Sequence, residues 1–470
     1  MRNITHFKKG AWESAVRLLT RWLEQRERVD ALLTASSAEL SPIERARCQY
    51  AVYGVIRHFG RLQAALDERI AHSPRFTTRA ILLLAGYELI EAATSASAWA
   101  TANAAASVAA GVRGGGSGEP SAEADFTGQV AKIVHHAVEQ AKRLTSPAEA
   151  RLVNAVVRKL VPLMTAPPPP KLAGPEVLAR YFSHPEWLVR RWLLQLGAES
   201  TRHLLEWNQS TAKLTFRWRI QTTDSLPAGS TPIDGVPGFY EVESGHWAEL
   251  EPLLKSGTAY MQDPSTRLAV EALELAAGER FLDLCAAPGG KSLLAADTTP
   301  APGVGQLVAL DLPSPRIAFL KENLATIPAQ TQVALVQADL LTEARAALRE
   351  HGLPLDYDAV LLDAPCSNTG VMRRRIDAKW RLQERDFRKH AQQQLSLLHA
   401  AARFVAPGGR LVYSTCSIDS QENEEVVRAF MQSRAGGSAF ILEHSAMSYP
   451  WESGYDGAGV YRLRKRLTSY

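Results

Sequence analysis

The chain has 470 residues, 46% apolar and 22% charged, with a formal net charge of +4. That length exceeds one ordinary domain, and that composition is globular rather than disordered or fibrous. The charge is mildly basic, which permits a nucleic-acid partner without requiring one.

The longest apolar stretch, AILLLAGYELI (80–90), is well short of the roughly 18 residues of a membrane span. MRNITHFKKGAWES at the N-terminus lacks a secretory apolar core. The expectation is a cytoplasmic monomer with no membrane association, whose four cysteines stay reduced.

Residues 1–162 read as all-helical. SAVRLLTRWLEQRE (14–27) spaces its apolar residues three and four apart. Ser41 is a predicted N-cap with Pro42 at the first helical position, and SPAEARLVNAVVRKLV (146–161) repeats that Ser-Pro start. RAILLLAGYELIEA (79–92) is apolar nearly all round, which predicts a central buried helix. RGGGSGEPSAEAD (113–125) is a flexible loop by composition. His135 and His136 are adjacent on a helix and diverge, so they suggest no metal site.

TAPPPPKLAGP (165–175) predicts a stiff extended linker, spanning 163–175. Residues 176–256 read as a small α+β domain. It begins with a helix of aromatic face, YFSHPEWLVRRWLLQLG, and contains a strand in KLTFRWRIQTT (213–223). From 257 to 470 short apolar runs alternate with helices, the rhythm of a doubly wound, Rossmann-like α/β sheet. Such sheets bind ligands at the carboxyl ends of their strands.

DLCAAPGGKS (283–292) is a glycine turn between strand and helix. It lacks the leading glycine of a phosphate loop and the G-x-G-x-x-G of a dinucleotide loop. Acids end the successive strands: Asp283, Asp311, Asp339 and Asp363. Carboxylates there suit ribose hydroxyls, an amino group or a sulfonium, and S-adenosylmethionine presents all three. Helix capping is the alternative for any single acid.

Two cysteines, Cys366 in LLDAPCSNTG and Cys416 in LVYSTCSIDS, follow predicted strands at that same edge, and each precedes a serine. Zinc is disfavoured, since no C-x-x-C pair occurs. Beside a methyl donor, a thiolate has a specific use. Carbon 5 of cytosine is a poor nucleophile while the ring is aromatic. Thiolate addition at carbon 6 makes carbon 5 an enamine carbon able to take a methyl group. A second group then assists loss of the carbon-5 hydrogen and expulsion of the thiolate. Asp363, three residues before Cys366, is placed to protonate ring nitrogen 3. These arguments do not say which cysteine attacks.

DLCAAPGGKS, DAPCSNTGVMRRRIDAKW (363–380) and LVYSTCSIDSQENEEVV (411–427) together resemble the RNA 5-methylcytosine methyltransferases of the Sun/NOL/NSUN family. The N-terminal helices resemble NusB, an RNA-binding fold. The resemblance implies that Cys416 is the nucleophile, that Cys366 assists release, and that Asp363 activates the base near the methyl donor. It implies a cofactor loop of Cys285, Ala286, Ala287, Pro288, Gly289, Gly290 and Lys291, with Lys291 near the methionine end. Asp311 would hold the ribose and Asp339 the adenine end. The implied substrate is small-subunit (16S) ribosomal RNA. The alternatives are transfer RNA, another ribosomal site, or a non-catalytic NusB-like RNA-binding or assembly factor. Arg373–Arg375 are expected to contact the RNA backbone. Three places depart from the family pattern: Ile376, Arg219, and Ala458 with Gly459.

Overall fold

The computed structural model describes residues 10–36, 40–109, 122–219, 225–243 and 245–467. The chain forms two compact units. One comprises Met1–Gln209 with Lys379–Arg381; the other comprises Ser210–Ala378 and Leu382–Tyr470.

In the first unit all described regular elements are helices. Helix Pro42–Arg57 starts as its sequence predicts. Ser41 Oγ accepts from Glu44 N, and Glu44 reaches back to Ser41 N, a capping box. Ser146 likewise caps Pro147–Met164. Helix Phe76–Ala109 is the buried centre: Ala80 through Ala85 are fully buried. Most of the glycine-rich stretch 113–125 lies outside the described residues, but its end is not loop, because a helix runs Ala122–Leu144. Pro167–Pro170 carries no helix, and Arg202 Nη1 donates to the carbonyls of Pro169 (3.0 Å) and Pro170 (3.2 Å). Helices Pro175–Tyr181 and Glu186–Gln209 also belong to this unit. So do three residues from much later in the chain: Lys379 Nζ donates to Arg57 O (3.1 Å) and Trp380 Nε1 to Ile56 O (2.9 Å).

The second unit opens with a small antiparallel sheet. Its strands are β1 (Leu214–Trp218), β2 (Ser230–Pro232), β3 (Phe239–Val242) and β4 (Ala259–Met261), in the order β2-β3-β1-β4. The large sheet follows: β5 (Arg280–Leu284), β6 (Gln306–Asp311), β7 (Gln332–Gln337), β8 (Tyr357–Asp363), β9 (Val405–Thr415), β10 (Phe440–Ser448) and β11 (Ala458–Lys465). Their order is β10-β11-β9-β8-β5-β6-β7. β5 to β9 pair in parallel; β5, β6 and β8 are apolar and buried nearly throughout, as strands covered on both faces must be, while the edge strand β7 is more exposed. The sheet is mixed rather than wholly parallel, because β10 and β11 pair antiparallel. The connection from 449 to 457 is too short for the crossover of a dozen or more residues that a parallel pair requires.

The chain passes from β5 outward through β6 to β7, then crosses to β8 on the other side. The order therefore reverses between β5 and β8, and a crevice opens there beyond the strand ends. Among the described residues no helix is long and apolar enough to cross a membrane.

Candidate active site

A cavity occupies that crevice. The loop after β5 supplies Cys285, Ala286, Ala287, Pro288, Gly290 and Lys291; the ends of β5 and β8 supply Asp283 and Asp363. Asp311 Oδ2 accepts from Ala287 N (2.8 Å), so it braces that loop. Asp339 Oδ1 accepts from Leu341 N (2.8 Å), within its own turn. Sequence reasoning missed Tyr260, Gln262, Asp263 and Arg316, which complete the wall. Their only local signal was Asp263-Pro264-Ser265, a turn in which Asp263 caps.

Cys285 has φ +60°, the left-handed region that side chains rarely adopt, and this turns the chain sharply off β5. Asp283 is 1% exposed, accepts from Ser292 Oγ at 2.5 Å, and has its other oxygen, Oδ1, without a partner. Burial pushes it up to about 7, against the opposing pull of the Ser292 hydroxyl. An unpartnered buried carboxylate oxygen beside a cavity fits a ligand with a cationic or hydroxyl donor. S-adenosylmethionine carries an ammonium, a sulfonium and ribose hydroxyls, so the donor set is compatible. Lys291 Nζ pairs with Asp363 Oδ2 at 2.7 Å. Burial works to lower the lysine's pKa, but the Asp363 charge and hydrogen bond outweigh it, and the net shift is upward.

β8 and β9 are parallel neighbours in register, with Asp363 opposite Ser414. The turns that follow them are therefore side by side, about one strand spacing apart. Cys366 Sγ and Cys416 Sγ lie 3.0 Å apart although fifty positions separate them. Both thiols are free. Cys366 is buried and Cys416 half-buried. The hydrogen bond from Cys416, then burial, raise the pKa of Cys366 well above the thiol norm. Cys416 Sγ also lies 3.4 Å from Asn368 Oδ1. Cys285 is not part of this pair; burial and the neighbouring carboxylates Asp311 and Asp363 push its thiol up too, which makes it inert.

Gly370 locks the Cys416 turn. Its N–H donates to Cys416 O (3.0 Å) while its own carbonyl accepts from Gly457 N (2.9 Å). A Cβ there would stand 2.8 Å from two carbonyl oxygens. Asn423 staples the same turn by donating to Ser417 O (3.0 Å) and Asp419 O (2.9 Å) and accepting from Thr415 Oγ1 (2.8 Å).

The departures from the expected pattern now have structural reasons. A Cβ on Gly459 would come within 2.1 Å of Asn423 Oδ1, so no aromatic fits there while Asn423 holds its place. Arg219 is buried and pairs with Asp297 (Nε–Oδ2 2.8 Å), donating also to Thr326 Oγ1 (2.6 Å). Ile376 is core, 1% exposed. The Arg374 guanidinium donates to Asp456 Oδ2 (3.0 Å), Asp263 Oδ2 (2.9 Å) and Lys213 O (2.9 Å); Arg373 is buried and Arg375 exposed.

Residues 270–448 match the family described as 16S rRNA methyltransferase RsmB/F, and residues 10–118 match the NusB family. The chain is 34% identical over 315 residues to the probable ribosomal RNA small subunit methyltransferase B of Bacillus subtilis (strain 168), covering 64% of this chain and 67% of that protein. It is 30% identical over 337 residues to the ribosomal RNA small subunit methyltransferase B of Escherichia coli O127:H6, covering 68% and 73%. Among solved structures, the crystal structure of PH0851 aligns at TM-score 0.67 and 20% identity over 96% of this chain and 98% of that one. A methyltransferase homologue protein from Pyrococcus horikoshii aligns at TM-score 0.50 and 20% identity over 61% and 97%. At such identities the structures speak for the fold.

Proposed function

The chain belongs to the ribosomal RNA small subunit methyltransferase B family, and from this premise we propose that it methylates carbon 5 of a cytosine in small-subunit ribosomal RNA through a covalent cysteine adduct. The observation that carries the chemistry is the pair of thiols 3.0 Å apart on the adjacent turns that follow β8 and β9. A scaffold that only bound RNA would have no use for them.

S-adenosylmethionine, the expected cofactor, supplies an electrophilic methyl group when bound. Asp283, the Cys285–Lys291 loop and Asp363 are the residues offered to hold it. The remaining work belongs to side chains of this chain. Cys416, as thiolate, adds to carbon 6 and breaks the aromaticity of the ring, so that carbon 5 becomes nucleophilic. Asp363 is offered to ring nitrogen 3. Asp363 also pairs with Lys291 (2.7 Å), and substrate must release it for that role. Cys366 then assists the release step, in which the carbon-5 hydrogen leaves and the sulfur–carbon-6 bond breaks. The base must leave its stack to reach Cys416, so the target is an unstacked or extruded nucleotide. The NusB-like unit is the proposed RNA-binding module.

The test is bisulfite mapping of ribosomal and transfer RNA from cells with and without the protein. One protected cytosine in small-subunit RNA that disappears with the gene supports the reading. Unchanged ribosomal RNA with a lost transfer-RNA signal moves the chemistry to the other substrate. No change in either ends it.

A further inference from the structure

Both active-site cysteines precede a serine, and the reaction proposed above gives those serines no task. Ser367 Oγ and Ser417 Oγ (2.6 Å) both donate to one oxygen of Glu422. The other oxygen accepts from Ser367 N (2.9 Å) and from Gln394 Nε2 (3.1 Å). Gln394 Nε2 also donates to Pro365 O (2.9 Å), just ahead of Cys366. Glu422 is completely buried. Every one of these neighbours presents a donor, which is the demand of an ionised carboxylate.

We propose that Glu422 is the positioning residue of the thiol pair: its carboxylate ties the two Cys-Ser turns together and so fixes how the sulfur atoms of Cys366 and Cys416 face each other. The proposal takes its purpose from the cytosine-5 reading, but its test does not depend on that reading. Each serine is one peptide bond from its cysteine, so a single carboxylate sets the separation of the two sulfur atoms. Thr369 adds a second bridge, bonding Ser417 Oγ (2.9 Å) and accepting from Ile418 N (3.0 Å).

The Cys366 thiol is raised first by the hydrogen bond from Cys416, then by burial, and the Glu422 carboxylate adds to the shift. His390 faces Glu422, and Tyr413 donates its hydroxyl to the Glu422 backbone carbonyl (2.6 Å). Neither donates a side-chain hydrogen bond to the carboxylate in place of the serines.

The experiment is the pH profile of iodoacetamide alkylation on the full chain. Each cysteine peptide is quantified by mass spectrometry and normalised to its own plateau, so that accessibility cancels. In Glu422→Gln, which keeps the shape and removes the charge, the Cys366 midpoint is expected to fall by about one pH unit, roughly tenfold more thiolate below it. A purely structural loss would raise both plateaus without moving the Cys366 midpoint. The proposal is overturned if a Glu422→Gln protein that melts like wild type keeps its Cys366 midpoint. Should that variant not fold, Ser417→Ala, which removes one link between the carboxylate and the Cys416 turn, decides: the rate at which diamide joins Cys366 to Cys416 is expected to fall severalfold, and an unchanged rate overturns the proposal. Alkylation as expected, with no methylated cytosine in RNA, would leave the role of Glu422 standing and remove the proposed reaction.

Discussion

Cys366 and Cys416 share a dipeptide motif and a strand-end position, yet their surroundings set them apart. Cys366 is buried and biased toward its proton; Cys416 is half-buried and lies on the lysine side. Cys416→Ala should therefore abolish methyl transfer while cofactor binding, measured by calorimetry, stays within about twofold. Cys366→Ala should let the adduct form and stall its breakdown, so that a protein–RNA band survives denaturing electrophoresis. Asp283 offers a pH test. Burial raises its folded-state pKa to about 7 from 3.8, so its protonated form favours the fold, a contribution complete below 3.8 and lost as pH rises through about 7. A cationic ligand favours the ionised form. Affinity for S-adenosylmethionine should thus rise up to about tenfold per pH unit below about 7 and flatten above it. Asp283→Asn should flatten the whole profile in calorimetry.

Elements explain why those residues meet. Two adjacent parallel strands, β8 and β9, deliver two turns to one place, and close backbone packing then joins them. Gly370→Ala should press a methyl group into the Cys416 and Gly457 carbonyls. The expected cost is about 1–3 kcal/mol, seen as a lower melting temperature, with a larger proportional loss of activity. Beside the small sheet, Asp297 pairs with two buried guanidiniums, Arg217 (2.6 Å) and Arg219 (2.8 Å). Asp297→Ala leaves both without that partner, so about 3–5 kcal/mol of stability should be lost in denaturant unfolding. Arg217 also holds Gln262 (2.8 Å), whose amide donates to Gly290 O (3.0 Å). The same variant should therefore weaken cofactor binding. β1 was legible as an apolar strand, but the partner of Arg219 was not, because Asp297 is 78 residues away.

At the scale of the molecule, each unit has its own core and its own sensitivities. In the helical unit His58 is half-buried beside Arg57, Lys379 and Arg61, and desolvation first, then these cations, hold it down at about 3. Its folded-state pKa lies below the unfolded value of 6.5, so its neutral form favours the fold. That contribution is complete above 6.5 and is lost as pH falls toward about 3, at up to about 1.4 kcal/mol per pH unit. Acid titration followed by circular dichroism should show helical signal lost in this window. His58→Gln should lessen the slope. The placement of Lys379–Arg381 in this unit had no local sign in the sequence, since Lys379 finds its acceptor on Arg57, 322 positions earlier.

The sequence by itself determined the helical first unit, the strand–helix alternation, the glycine loop, and the placing of two cysteines at neighbouring strand ends. All of these are written locally, in periodicity, turn residues and motif spacing, over a few to twenty positions. Only the tertiary structure decided that the sulfur atoms touch, that Asp311 braces the Ala287 backbone, that Arg374 pairs with Asp263 and Asp456, and that Glu422 joins the two turns. Those facts depend on which strands lie side by side and on which buried polar group finds a partner. Such pairings are settled by burial and hydrogen-bond satisfaction across the whole fold, and neighbouring residues carry no record of them.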